Sequence, residues 1–458
     1  MLNMRIRLLD FFKDRIKNQS NRQLVWNVIA SFTLYISRYA LQIIQYFYLI
    51  WALGFTYYGL LSFGTTIILY FDIVIEYGFN FPATRQVSQN RDNKELVTEI
   101  YSAITFTRLM FFVACAVAYF PLIALVSSFN EYWQMYAIFF GMLLGYALTS
   151  GWFFQGMEKF KFITYNYILS YLIYTICLVI FVHKPGDYWI AALFETSYIV
   201  LIGVLNVLII KHTFGIKFVR PRLNAIKKQL REGWVMFFQS IIYGVYSYSG
   251  ILLLGLLTSN LSSGYLYVGY YSLATTIIAA GQGAIGAITT VFFPRVTKLI
   301  QDSKERAMSY VKKYFIFILS LGIAIFVGIF FLSGLLPWFA GIVGIHKNFT
   351  QIIVILKIQS ILPVLLVINN TLGYQVMLAL DYKRALTTVY ACAFSLCLLL
   401  AIIFVPLYYH IAMAIIIVIV ETFIMISEFT FLKRRGINIF AGMQKNVMDI
   451  LRNRKAVD

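Results

Sequence analysis

The sequence predicts an all-α integral membrane protein of twelve transmembrane helices. They form two six-helix lobes related by a pseudo-twofold axis along the membrane normal, with both termini cytoplasmic. Three observations predict this. Twelve apolar stretches, each long enough to cross a bilayer, fill the chain. The segments between them are basic on alternate sides only: 33 of the 38 Lys and Arg fall on one side, Lys184 and Lys347 on the other, and three within spans. That asymmetry requires an even number of spans and a cytoplasmic N-terminus. Finally, the two halves share landmarks. Gly59 and Gly269 stand 210 residues apart and Pro82 and Pro294 stand 212 apart, each proline with an aromatic before it and Arg85 or Arg295 close behind. Gln155 to Lys159 resembles Gln375 to Lys383 at an offset of 220. Because six is even, both halves enter the membrane the same way round, which makes the axis a membrane normal.

The formal charge of +19 then follows from topology rather than from a polyanionic partner, and nucleic-acid binding is excluded as the reading of the basic balance. Cys115, Cys177, Cys392 and Cys397 all lie in apolar stretches without ligand spacing, so neither a disulfide framework nor a metal site is expected. His183, His212, His346 and His410 are scattered at span ends. No catalytic set, phosphate-binding loop or cofactor motif is present.

Along the chain, Arg5, Arg7, Lys13, Arg15, Lys17 and Arg22 interrupt any signal-peptide core, and Leu8, Leu9, Phe12 and Ile16 form one face of an expected surface helix. An N-terminal lobe over 1–210 follows, with spans expected at roughly 25–50, 57–80, 102–126, 134–156, 163–182 and 189–210. Arg38 lies near the middle of span one, with Gln42 and Gln45 further along the same face. Asp72 and Glu76, one turn apart in span two, stand at the depth of Arg108 in span three. The plain reading is an ion pair. The sharper one is a proton site, since two carboxylates one turn apart in a poorly hydrated cavity do not ionise together readily. Trp152, Phe153 and Phe154 close span four, and Glu195 lies deep in span six. They read either as a sugar platform or as ordinary packing, and as a proton carrier or a cross-bundle partner, respectively.

A basic cytoplasmic linker over 211–232, containing Pro221, precedes a C-terminal lobe over 233–432. Its spans are expected at roughly 235–258, 266–292, 314–338, 350–373, 386–405 and 411–432. Span seven carries Tyr243, Tyr246 and Tyr248, and span eight carries Gly281, Gly283 and Gly286, which permit close approach or unwinding. Pro82 and Pro294 are expected to end or kink spans two and eight, and Pro363 to bend span ten. Lys357 in span ten and Glu428 in span twelve are near enough to an interface to snorkel, whereas Glu421 is deeper. A basic tail over 433–458, with Ile439, Met443, Val447 and Ile450 on one helical face, completes the chain.

The tract from Gly54 to Arg91, the Gly233-Trp234 entry to span seven, and Val268-Gly269-Tyr270-Tyr271-Ser272 through Pro294-Arg295 resemble Wzx-type polysaccharide flippases. That family belongs to the MOP superfamily, which also holds MATE-type drug extruders and lipid II flippases. The resemblance implies a carrier of the bacterial plasma (inner) membrane. It moves an undecaprenyl-pyrophosphate-linked oligosaccharide from the cytoplasmic to the periplasmic leaflet, and its neighbours are a polymerase, a chain-length regulator and glycosyltransferases. Such a cargo calls for basic side chains toward the diphosphate, here Arg38, Arg85, Arg108, Arg295 and Lys357. Gln42, Gln45, Tyr243 and Tyr246 are the candidates for sugar contact, and Asp72, Glu76, Glu195 and Glu421 for ion coupling or structural pairing. One departure stands out: the resemblance implies a cationic lumen, yet the spans hold three basic and five acidic residues. A MATE-type extruder is expected to place a carboxylate in span one, where this chain has Arg38, and a lipid II flippase to carry two further spans. A periplasmic polymerase or ligase needs a sizeable outer loop, and the expected outer loops are short.

Overall fold

The computed structural model describes the backbone of residues 19–437 apart from Val343 and His346. Side chains are described over 41–437, except at Ser127, Ser128, those two residues and part of 284–305. The expected surface helices at both chain ends, and the side chains of Arg38, Pro294 and Arg295, lie outside the described residues.

Among the described residues all regular structure is helical, and nine helices are long and apolar enough to cross a membrane. This follows from the solvent: in hydrocarbon every backbone N–H and C=O must be bonded within its own segment. The chain divides into two compact units, one ending at Gly244 and the other beginning at Val245.

The first unit contains α1 (Gln19–Glu76), α2 (Asn80–Gln89), α3 (Lys94–Leu125), α4 (Trp133–Leu148), α5 (Gly151–Gly156), α6 (Phe160–Phe181), α7 (Tyr188–Thr213) and the start of α8 (Leu223–Thr258). Although hydrogen bonding runs through α1, its path breaks at Gly54 (φ 81°, ψ 170°), between the expected spans one and two. That backbone region is open essentially to glycine alone. A Cβ at Gly54 would meet nothing within 4 Å, so the dihedral and not the space selects the residue. Next, Tyr77 (φ 44°) and Gly78 (φ 65°) turn the chain into α2. The helix therefore ends before Pro82, which sits in the first turn of α2, where a missing N–H breaks no intrahelical bond.

Helices in lipid associate through close packing and buried hydrogen bonds rather than through a hydrophobic force. The crossing of α4 and α7 shows this. A Cβ at Gly145 would lie 2.6 Å from the Ile199 carbonyl carbon, and one at Gly203 would lie 2.7 Å from the Gly145 oxygen. Around α2, Phe79, Val87, Ile100, Ile104 and Ile210 build a core with Trp152, Phe153 and Phe154. Those three rings are fully buried, which removes the sugar-platform reading of span four: their faces are taken by Tyr101, Phe162 and Phe214.

The second unit contains the end of α8, α9 (Gly264–Asp302), α10 (Lys304–Leu332), α11 (Thr350–Gln359), α12 (Leu362–Asn369), a π-helical segment over Asn370–Leu378, and α13 (Lys383–Arg434). α9 continues past Pro294, so the helix does not end there. Gly281 lets α9 approach α10, where a Cβ on this glycine would lie 2.7 Å from the Ile325 side chain, whereas a Cβ at Gly286 would meet nothing. The interruption ahead of Pro363 is present: α11 stops at Gln359, and α12 starts at Leu362 with the proline in its first turn. α13 breaks at Tyr409 (φ 49°, ψ −125°), between the expected spans eleven and twelve. The Tyr409 ring is held there by stacking on Tyr267 at 4.5 Å.

A helix-ending turn of one construction occurs in both units, and Arg435, Gly436 and Ile437 repeat it at the end of α13. In the first, the N–H groups of Met157, Glu158 and Lys159 donate to the carbonyls of Phe153, Gln155 and Phe154, and Glu158 has φ 55°. In the second, Leu380, Asp381 and Tyr382 donate to Val376, Leu378 and Met377, and Asp381 has φ 63°. The backbone register relating them is 223, from Glu158 to Asp381, rather than the 220 read from the glutamines.

Candidate functional site

In the first unit, the turn at Tyr77–Gly78 brings Asn80 over the end of α1 and beside α3. Arg108 of α3 is 4% exposed and donates from Nη1 to the Thr149 carbonyl at 2.6 Å and from Nη2 to Asn80 Oδ1 at 3.1 Å. The Asn80 amide in turn donates to Glu76 Oε1. Neither Asp72 nor Glu76 forms an ion pair with Arg108 among the described residues, although both charges act on the guanidinium. The expected direct pair is thus replaced by a relay through Asn80, a residue that carries no charge and gives no signal in the sequence. Arg108 Nε is left without a partner.

Arg85 is exposed on α2, with Nη2 3.6 Å from Glu232 Oε2 on α8. Beneath it, Gln86 and Gln229 exchange amide hydrogen bonds at 3.1 and 3.0 Å, and Gln86 also donates to Glu232 at 2.9 Å. Tyr77 stacks on Phe237 at 4.5 Å, and Gly78 leaves room for Met236 and Phe237. These contacts anchor α8 to the α1–α2 turn. Arg91 clamps the turn after α5, donating to the Gly156 carbonyl at 2.7 Å and to Glu158 at 2.6 Å.

A second polar group lies among α1, α6 and α7. Glu195 accepts from Thr65 Oγ1 at 3.0 Å and has no basic partner among the described residues. Gln45 is buried with its amide consumed, donating to Tyr174 at 2.5 Å and accepting from Tyr171. Gln42, partly exposed, donates to Tyr46 at 2.5 Å. Tyr174 stacks on Tyr198 at 4.9 Å. The two glutamines therefore differ: Gln42 has surface to offer a ligand, whereas Gln45 ties helices together.

In the second unit, Glu421 of α13 is bracketed by neutral donors: Tyr246 at 2.7 Å and the Asn369 amide at 2.6 Å, the latter also 3.2 Å from the Glu421 carbonyl. These residues come from α8, α12 and α13, so one carboxylate joins three helices. Tyr246 spends its hydroxyl here, while Tyr243 is exposed. Lys357 is exposed on α11. Gln375 donates to the Thr289 carbonyl at 2.9 Å. Glu428 departs from expectation most: instead of snorkelling it is wholly buried, and among the described residues neither carboxyl oxygen has a hydrogen-bond partner. Two carboxylates held by neutral donors, one in each unit, can gain or lose a proton without breaking an ion pair.

Residues 24–300 match the family model described as polysaccharide biosynthesis protein. The chain is 28% identical over 408 residues to a candidate O-antigen transporter of Escherichia coli (strain K12), covering 87% of this chain and 94% of the relative. A second such protein, from Shigella dysenteriae, is 25% identical over 370 residues, covering 79% and 87%. Among solved structures, the fold is similar to an inward-facing MATE family multidrug resistance transporter of the MOP superfamily. The TM-score is 0.69 at 12% identity, over 91% of this chain and 99% of the other. It is also similar to the lipid II flippase MurJ in an inward closed conformation, with a TM-score of 0.64 at 15% identity over 95% and 93%. At those identities the likeness is one of fold. Its apolar helices and these relatives make the chain a multi-pass membrane protein, and the match over 24–300 makes it a member of the polysaccharide biosynthesis protein family.

Proposed function

We propose that the protein is an inner-membrane flippase. It translocates an undecaprenyl-pyrophosphate-linked oligosaccharide repeat unit from the cytoplasmic to the periplasmic leaflet by alternating access, driven by an ion gradient. The observation that carries this reading is the family match, joined by relatives named for O-antigen transport along nearly the whole chain. In this reading the twelve spans form two six-helix lobes with both termini cytoplasmic. The breaks at Gly54 and Tyr409 support that count, because each falls where the sequence separates two spans. Arg85, exposed and only loosely tied to Glu232, is one candidate to meet the diphosphate, Arg38, Arg295 and Lys357 are the others, and Arg108 has its guanidinium engaged by Thr149 and Asn80. Gln42 and Tyr243 offer the sugar contacts, and Glu195 and Glu421 are the ion-coupling candidates. The substrate reaches the carrier from glycosyltransferases and leaves it to a polymerase and a chain-length regulator.

The test is the sidedness of the lipid-linked repeat unit in spheroplasts of a deletion strain that also lacks the polymerase, read with a membrane-impermeant periodate label. Labelling is expected to vanish on deletion and to return with the gene. Unchanged labelling assigns flipping elsewhere. The likeness to a MATE transporter favours drug extrusion as the second reading. Ethidium accumulation that falls on expression, with unchanged sugar labelling, would select it.

A further inference from the structure

Glu428 is the one carboxyl in the second unit for which the described fold supplies no donor. It is 0% exposed, and both of its oxygens are without hydrogen-bond partners. Oε1 rests against Gly373, so closely that a Cβ there would collide with it; the same Cβ would lie 3.1 Å from Leu386. Gly373 belongs to the π-helical segment Asn370–Leu378, and such wide turns recur at functional sites because they re-aim backbone and side chains. Leu372, Val376, Met377 and Leu432 make the surroundings apolar. Among the described residues two further acceptors have no donor, Asn369 Oδ1 beside the segment and Gln375 Oε1 within it.

An unpaired carboxylate ion is strongly disfavoured in such a place. Glu421, another acid, lies two turns earlier on α13. Among the described residues Tyr310 and Tyr382 adjoin the apolar cluster, and Arg435 lies over the Tyr382 and Phe431 rings, 5.8 and 5.7 Å from their centres, without an ion pair to Glu428. A metal ion would require about six oxygen ligands. No group of three or more His, Cys, Asp or Glu is gathered among the described residues. Among the described residues no basic side chain pairs with this carboxyl, and a proton is the smallest cation that would neutralise it.

We propose that Glu428 is a proton-binding site, its neutral form locked against Gly373 on the π-helical turn, and that proton release expels the carboxylate and reseats α13 on that turn. The step is a simple exchange. A carboxylate oxygen takes a proton from water on one side of the membrane and returns it to water on the other, with no other bond made or broken. The coupling role rests on the gradient-driven flippase reading, whereas the occupancy of the site does not.

Two measurements test it. Infrared spectra of the purified protein in lipid nanodiscs at neutral pH report protonated carboxyls by their C=O stretch. The wild type is expected to show a band that Glu428→Gln loses and Glu428→Asp retains. If Glu428→Gln does not fold, Gly373→Ala serves instead, since its methyl displaces the carboxyl and removes the same band from a chain that keeps Glu428. Superposable spectra for the wild type and the folded variant overturn the site. In the spheroplast assay, Glu428→Gln is expected to lose the component of labelling that collapses with the proton gradient. A variant that keeps gradient dependence overturns the coupling. If the wild-type gene itself restores no labelling, the flippase reading falls and the infrared band still decides the site.

Discussion

Gly54 and Arg91 show how single residues fix the backbone here. At φ 81° and ψ 170°, Gly54 occupies a region where any side chain is strained, and the space around it is empty. Gly54→Ala is therefore expected to cost about 1–3 kcal/mol through the dihedral alone. Thermal unfolding in detergent checks this against Gly186→Ala, an equally open position without the positive φ. Arg91 spends its fork on the Gly156 carbonyl and on Glu158, holding a left-handed residue at the end of α5. Arg91→Ala should lose about 1.5–3 kcal/mol, because a charge-assisted bond and its companion go together. Arg91→Lys should recover only part, since one ammonium cannot reproduce a planar fork. Of these two, the break at Gly54 is legible as a gap between apolar runs, whereas the clamp is not, its ends lying 67 residues apart. The same limit explains Arg108. Its depth puts it beside Asp72 and Glu76 correctly, but nothing in the pattern of charges announces that a neutral Asn80 stands between.

Among helices, a close approach of two main chains is the crossing of α4 and α7 at Gly145 and Gly203. Gly203→Val is expected to force the backbones apart and cost about 1–3 kcal/mol or more. Gly341→Val, with nothing within 4 Å, should change the unfolding midpoint little. Span eight draws the eye in the sequence because three glycines cluster there, yet of Gly281 and Gly286 only Gly281 meets a neighbouring helix. A glycine count reports permission for close approach, while the partner helix decides whether it is used. Pro363 is a better signal than Pro294: it stands in the first turn of α12, just after the helical hydrogen bonding lapses, whereas α9 continues past Pro294. The π-helical turn and the burial of Glu428 leave no trace in hydropathy, since a buried acid and a snorkelling one look alike along a helix end.

At the scale of the whole chain, the charge asymmetry makes a direct prediction. A fluorescent reporter that matures only in the cytoplasm should light up when fused at the C-terminal end, and a periplasmic phosphatase should be active when inserted beside Lys347. The reverse result would invert the topology. The like turns at Glu158 and Asp381 stand 223 residues apart, three more than the glutamines that suggest an offset of 220, because the turn is fixed by backbone hydrogen bonds and not by side chains. The contact of α4 with α7 has a practical use for any study of motion in this carrier. Two main chains touching at Gly145 and Gly203 leave no compressible side chain between them, so the pair should travel as one piece. Spin labels on these two helices therefore provide a fixed ruler inside a moving protein. Their spacing should stay constant under every ligand and gradient, and displacements elsewhere can be measured from it.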